Sequence, residues 1–87
     1  MLLQKDMMIV WDEPKREANL DKHRIDFADI GEEFFAGALV GQAKKGRYFA
    51  IGRLDGVIVV IFATLGTEGL SIISARPASR KERKLLP

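Results

Sequence analysis

The 87-residue sequence contains no cysteine and a single histidine. Without cysteine there is no disulfide framework, zinc ribbon, iron–sulfur cluster or thiol nucleophile, and one histidine excludes a multi-histidine metal site. The expectation is a protein that uses no metal and no cofactor. Long apolar runs are also missing. The longest, Val57 to Ala63, is far too short to span a bilayer, so no membrane partner is expected. Residues 1–10 carry Lys5 and Asp6 among apolar residues and have neither the h-region nor the small-residue cleavage site of a signal peptide, which reads as a cytoplasmic protein. Internal repeats and low-complexity linkers are absent too. At 9.7 kDa the chain is read as one domain, residues 1–87, since a second would have too little chain left for a core.

What is present is a folding composition, 47% hydrophobic and 30% charged, with the charge unevenly placed. The net charge of +2 divides into −4 over residues 1–36, +2 over 37–75 and +4 over 76–87. A short basic end on a small domain points to a polyanion or an acidic partner, or else to a solvated helix face.

The acidic third reads as helical. Asp12 ahead of Glu13 and Pro14 suits an N-cap with an early-turn proline. Trp11, Lys15, Ala18, Lys22 and Ile25 then fall on one side of a helix. A second short helix is predicted from Asp26, with Phe27, Ile30, Phe34 and Phe35 as its apolar stripe and Gly37 just past its end. From Ala38 the period changes to two. Ala38–Gln42 reads as the fourth strand of a three- to four-stranded set, and Arg47–Arg53 alternates Tyr48, Ala50 and Gly52 against Phe49 and Ile51. Asp55-Gly56 signals a two-residue type I′ hairpin. Val57–Ala63 suits a strand buried on both faces, Leu65–Gly69 a turn, and Leu70–Ala75 a further strand. Ser79 and Glu82 have capping-box spacing for a short C-terminal helix. The predicted fold class is α+β: two N-terminal helices, a three- to four-stranded antiparallel sheet and a short C-terminal helix, with the helices mainly on one face. Trp11, Phe27, Phe34 and Phe35 are assigned to the core.

Several of these residues, in order and spacing, resemble the signature of the BrnT-like toxins. They are Trp11-Asp12-Glu13, Lys15, Asn19-x-x-Lys22-His23, Ile25-x-Phe27, Arg47-Tyr48-x-x-Ile51-Gly52, Ile72-Ile73-Ser74-Ala75-Arg76, and Ala78-x-x-x-Glu82-Arg83. They span about residues 10–86. The resemblance implies a fold like that of RelE-type ribonucleases and the toxin role in a type II toxin–antitoxin pair. It also implies RNA as substrate and a BrnA-like ribbon–helix–helix antitoxin, through which oligomerisation would occur. Four positions depart from the family pattern: Ser71 stands where a basic residue is common, Pro77 where Lys or Arg follows Arg76, Leu86 where an aromatic is usual, and Gly46 where an acidic residue often precedes Arg47. Ser71 and Leu86 motivate a second reading, a weakened toxin homologue that binds its antitoxin and acts in operon repression. Composition and spacing alone support only a small basic-ended α+β domain.

Metal-free RNA cleavage must deprotonate the ribose 2′-OH, stabilise charge on the pentavalent phosphate and protonate the leaving 5′-oxygen. Fixed cations serve the second need, and guanidinium matches phosphate with two parallel hydrogen bonds. Arg47 and Arg76, each on or beside a strand, are the candidates; otherwise they are ion-pair partners of the acidic helices. His23 alone has an ordinary pKa suited to proton transfer near neutrality. The other reading, and the favoured one, is a helix-terminal histidine that bonds backbone carbonyls and packs against the second helix. Lys22 is either an electrostatic helper or a solvated group, and Asn19 is read as a brace of the helix connection. Arg80, Arg83 and Lys84 share a helix side and suit phosphate contacts. Tyr48 can stack on a base or lie half-buried in the sheet.

Overall fold

A computed structural model describes residues 7–87. It opens with a strand the sequence reading did not contain. Met8–Trp11 form β1, and only then does α1 run from Glu13 to His23. Trp11 therefore belongs to the sheet rather than to the helix pattern it had suggested. The start of α1 is as expected: the Asp12 carboxylate accepts from the Lys15 N–H at 3.2 Å, and Pro14 stands in the first turn. Its end is set by Arg24 in the left-handed region (φ 60°), whose N–H donates to the Leu20 carbonyl.

The expected single helix from Asp26 is broken in two. A 3₁₀ turn, Phe27–Asp29, is capped by Asp26. Ile30 and Gly31 are extended, and α2 spans Glu32–Ala36. The break does not disperse the apolar set: Phe27, Ile30, Phe34 and Phe35 all enter one core. Next come β2 (Leu39–Gln42), a 3₁₀ turn (Lys44–Gly46), β3 (Tyr48–Arg53), β4 (Val57–Leu65), β5 (Gly69–Pro77) and α3 (Arg80–Arg83).

Among the described residues the sheet has five strands in the order β1-β5-β4-β3-β2. It is mixed, because β1 runs parallel to β5 (Met8↔Gly69 to Trp11↔Ile72) while the other pairs are antiparallel. The α+β class holds, and the expected three or four antiparallel strands are corrected to four plus a parallel edge strand. The β3–β4 connection is also one residue longer than expected, Leu54-Asp55-Gly56, although Asp55 (φ 48°) and Gly56 (φ 109°) do take the positive φ that the Asp-Gly signal promises.

Alternation sorts the residues between two faces. Ala50, Ile58, Val60, Phe62, Leu70, Ile72 and Ala75 turn toward the helical segments and form the core with Phe27, Ile30, Phe34 and Phe35; Trp11 packs against it. The opposite face, here called the outer face, carries Phe49 and Ile61, half-buried, and Ile51 and Val59, almost fully buried. In β5 a bulge between the levels of Ile61 and Phe62 inserts Ile73, which shifts the alternation and brings Ala75 to the core and Arg76 to the outer face.

Candidate active site

Arg76 stands on β5 opposite Val59, and Val59 stands opposite Ile51 on β3. The guanidinium there is carried by β5 where that strand has passed the end of β1 and pairs with β4 alone. Its partner comes from α3. Arg76 Nη1 and Nη2 donate to Glu82 Oε1 and Oε2 at 2.7 and 2.8 Å, and Nη1 also reaches the Pro77 carbonyl at 3.3 Å. The same carboxylate accepts the Ser79 N–H at 2.8 Å, while Ser79 Oγ accepts the Glu82 N–H at 3.1 Å, so the capping box expected from the sequence is formed. Held mainly by Arg76, then by the Ser79 backbone N–H, the Glu82 carboxyl is lowered to a pKa of about 2, and the Arg76 pKa is raised in return. The ion pair of Arg76 is thus with α3, not with the acidic N-terminal helices.

A second arginine, which the sequence reading passed over, lies on the same outer face. Arg53 ends β3 opposite Val57, and its Nη2 donates to the Pro87 carbonyl at 2.8 Å, so the segment after α3 returns across this end of the sheet. From strand rise and spacing, Arg53 and Arg76 are roughly 12 Å apart at Cα, within the combined reach of two arginines around one phosphate. The only sequence signal for Arg53 is its parity with Phe49 and Ile51.

Around the end of the sheet lies a groove of about 660 Å³, lined among others by His23, Arg24, Asp55, Pro77, Ala78 and Arg83. His23 is half-buried and Arg83 exposed. His23 and Arg83 thus share one groove, while Arg76 and Arg53 do not line it and lie toward the same end of the sheet on its outer face, with Lys22 exposed beside His23 and Arg80 and Lys84 exposed on and just after α3. Arg47 is at the other end. It precedes Tyr48 and lies four residues along β3 from Ile51, the residue in the row of Val59 and Arg76; this puts it roughly 17 Å from Arg76. Tyr48 is on the core face, its ring stacked on Phe62 at 5.7 Å, away from the arginines. Ser71, in place of a basic residue, faces outward level with Ala63. Among the described residues no three His, Cys, Asp or Glu side chains are grouped so as to hold a metal ion, and no helix is long and apolar enough to cross a membrane.

Residues 11–82 match the family described as ribonuclease toxin, BrnT, of type II toxin–antitoxin system. The chain belongs to the BrnT family. Its fold is also similar to the 1.1 Å crystal structure of the Brucella abortus ribonuclease toxin BrnT, with 50% sequence identity and a TM-score of 0.79, over 85% of this chain and 99% of that one. A comparison with curated proteins gives no match.

In this BrnT-family chain much of the signature makes the fold rather than the chemistry. Trp11 Nε1 donates to Glu13 at 2.6 Å, Asp12 caps α1, and Arg16 joins Glu13 to Asp26, its Nε and Nη2 meeting both Asp26 oxygens at 2.8 and 3.1 Å. Asn19 is buried and bridges Ile25 to Ala75, the bracing role expected of it. Among the exposed signature arginines are Arg76, with part of its guanidinium still open, and Arg47 at the other end of β3.

Proposed function

We propose that the protein is an endoribonuclease toxin that cleaves RNA without a metal ion and is silenced by a ribbon–helix–helix antitoxin. The observation that carries this reading is the Arg76 side chain, fixed on β5 by Glu82 yet 45% exposed, with Arg53 on the same face. The ribose 2′-oxygen attacks phosphorus, the bond from phosphorus to the 5′-oxygen breaks, and a 2′,3′-cyclic phosphate and a 5′-hydroxyl result. Arg76, with Arg53, stabilises the charge on the phosphorane, the largest catalytic contribution fixed donors can supply. His23, at the rim of the groove, moves the proton, and Lys22 adds positive potential beside it. Arg80, Arg83 and Lys84 hold flanking phosphates. Arg47, too distant to share the scissile phosphate while Arg76 is tied to Glu82, holds another phosphate farther along the strand. The core-facing ring of Tyr48 is left to packing. The antitoxin covers the same cationic end with acidic and apolar side chains, so toxin activity and antitoxin binding exclude each other.

Purified protein incubated with single-stranded RNA tests the reading. Cleavage is expected to be equal with and without EDTA and to fall about 10²–10³-fold in Arg76→Ala, the usual cost of one preorganised donor to a developing oxyanion. Cleavage that stops on chelation and returns with Mg²⁺ overturns the metal-free mechanism. Absence of cleavage, and of growth arrest on expression without the antitoxin, favours the binding-module reading that Ser71 motivates.

A further inference from the structure

We propose that Glu82 is the positioning residue of Arg76: it grips the end of the guanidinium so that the side edge, Nε–H with the outer Nη2–H, is presented to an RNA phosphate. The inference rests on the reading of Arg76 given above.

A guanidinium has five N–H donors in a fixed plane. Three are engaged: one on Nη1 with Glu82 Oε1, one on Nη2 with Glu82 Oε2, and the second Nη1 hydrogen with the Pro77 carbonyl. Two remain, on Nε and on the side of Nη2 turned toward it. They are parallel and lie along one edge, the arrangement that meets two phosphate oxygens together. Among the described residues neither has an acceptor, and the side chain is 45% exposed. The end-on fork is spent and the side-on fork is open.

Glu82 is itself immobilised. Its Oε1 accepts from both Arg76 Nη1 and the Ser79 N–H, and its own N–H donates to Ser79 Oγ. The α3 helix has only four residues, too few to persist alone. It is tied to the sheet by this pair and by the Ala78 N–H to the Val57 carbonyl at 2.9 Å. The capping box therefore orients an arginine six residues away as well as ending a helix. A long side chain on a strand end would otherwise sample many rotamers, and a misplacement of about 1 Å at a reacting group can cost about 10²-fold in rate.

The test is a pair of kinetic cycles with one spectroscopic measurement. In Glu82→Gln the amide oxygen still serves Nη1 and the Ser79 N–H, while the amide nitrogen opposes Nη2 instead of accepting from it. The expected result is a fall of about 10²-fold in kcat with KM little changed, and no further fall when Glu82→Gln is added to Arg76→Lys, whose ammonium has no end-on fork to lose. An equal loss in both backgrounds assigns Glu82 to stability alone, and a rise in activity makes it a mask over Arg76; either overturns the proposal. The second measurement needs no turnover. In ¹H–¹⁵N spectra of the unsubstituted protein the Arg76 Nε–H signal, identified by its loss in Arg76→Lys, should shift on titration with a 2′-deoxy oligonucleotide. A signal that does not move at saturation overturns the proposal even where Glu82→Gln does not fold. If the protein cleaves no RNA, the ribonuclease reading fails by itself, and the same titration repeated in Glu82→Gln decides the role of Glu82: the shift should shrink there, and an equal shift overturns the proposal.

Discussion

Asn19 and Ala75, 56 residues apart, are joined by a buried hydrogen bond in which the β5 amide donates to the Asn19 side-chain oxygen at 3.0 Å. The other end of the amide donates to the Ile25 carbonyl at 3.1 Å. One side chain thus closes the edge of β5 beyond the reach of β1 and fixes the turn after α1. It thereby sets His23 and Arg24 relative to the strand that carries Arg76. Asn19→Ala leaves the buried Ala75 N–H unpaired, at a cost of about 1–3 kcal/mol, and leaves the part-buried Ile25 carbonyl to bond water instead. In a domain of this size each 1 kcal/mol lowers Tm by about 4–8 °C. Thermal unfolding should show a drop of about 4 °C or more; an unchanged Tm would remove Asn19 from the frame.

Gly52 lies on the core face of β3, beneath Phe34. A Cβ there would approach the Phe34 ring at 2.7 and 3.0 Å and the Ala38 Cβ at 3.2 Å. Phe34 cannot yield freely, because it sits edge-on to Phe35 at 5.2 Å, and Phe35 sits edge-on to Phe62 at 5.3 Å. Gly52→Ala is expected to destabilise by about 1–3 kcal/mol through overpacking, despite the better intrinsic strand propensity of alanine. Urea unfolding measures it, and a variant as stable as its parent would mean that the α2 segment shifts at little cost.

The Glu82 carboxyl falls from its ordinary 4.5 to about 2 in the folded chain, held first by Arg76 and then by the Ser79 N–H. A carboxyl with a lowered folded value adds stability that is complete above the unfolded value and disappears as pH falls through the folded one. Docking of α3 should accordingly weaken between about pH 4.5 and 2. Asp26, lowered by Arg16 and the Ala28 N–H, acts in the same direction. Stability measured at pH 6 and pH 3 should therefore differ less in Glu82→Gln than in the parent, without the difference vanishing. Equal pH dependence in both proteins would show that the pair contributes nothing in solution, as many exposed ion pairs do.

The elements with local causes were legible in the sequence: the Asp12 cap, the Ser79–Glu82 box, the alternation of β3 and the apolar β4. Those that depend on distant partners were not. Met8–Trp11 is short, has no turn signal and becomes a strand only because β5 offers a parallel edge. Trp11, at four residues from Lys15, fitted a helix equally well by period. The site divides in the same way. Arg76 stood out by its motif, but its bond to Glu82 links a strand end to the third residue of a helix, a separation that belongs to no regular period. The bulge at Ile73, which decides the face on which Arg76 emerges, leaves no mark in a hydrophobicity pattern. Arg53 belongs to no motif, and beside the Asp-Gly turn its parity with Phe49 and Ile51 is the one sign of the face it takes.

Arg53 and Arg47 now make opposed predictions from one face of one strand. Arg53 ends β3 and Arg47 precedes it, so both side chains alternate outward, yet only Arg53 is close enough to Arg76 to share a phosphate. If the two share the scissile phosphate, Arg53→Gln removes a donor to charge that develops in the transition state. The expected loss is then about 10²-fold or more in kcat, with a smaller change in KM. Arg47→Gln removes a contact made equally in ground and transition states. It should raise KM, leave kcat nearly unchanged and reduce the slope of log K against log salt by about 0.7, the value for one phosphate of a single strand. Steady-state kinetics on a short RNA at several salt concentrations separates the cases. A kcat loss in Arg47→Gln together with intact kcat in Arg53→Gln would move the reacting phosphate to the other end of β3. Arg76 would then have to release Glu82 to reach it, and the tethered geometry described above would not be the active one.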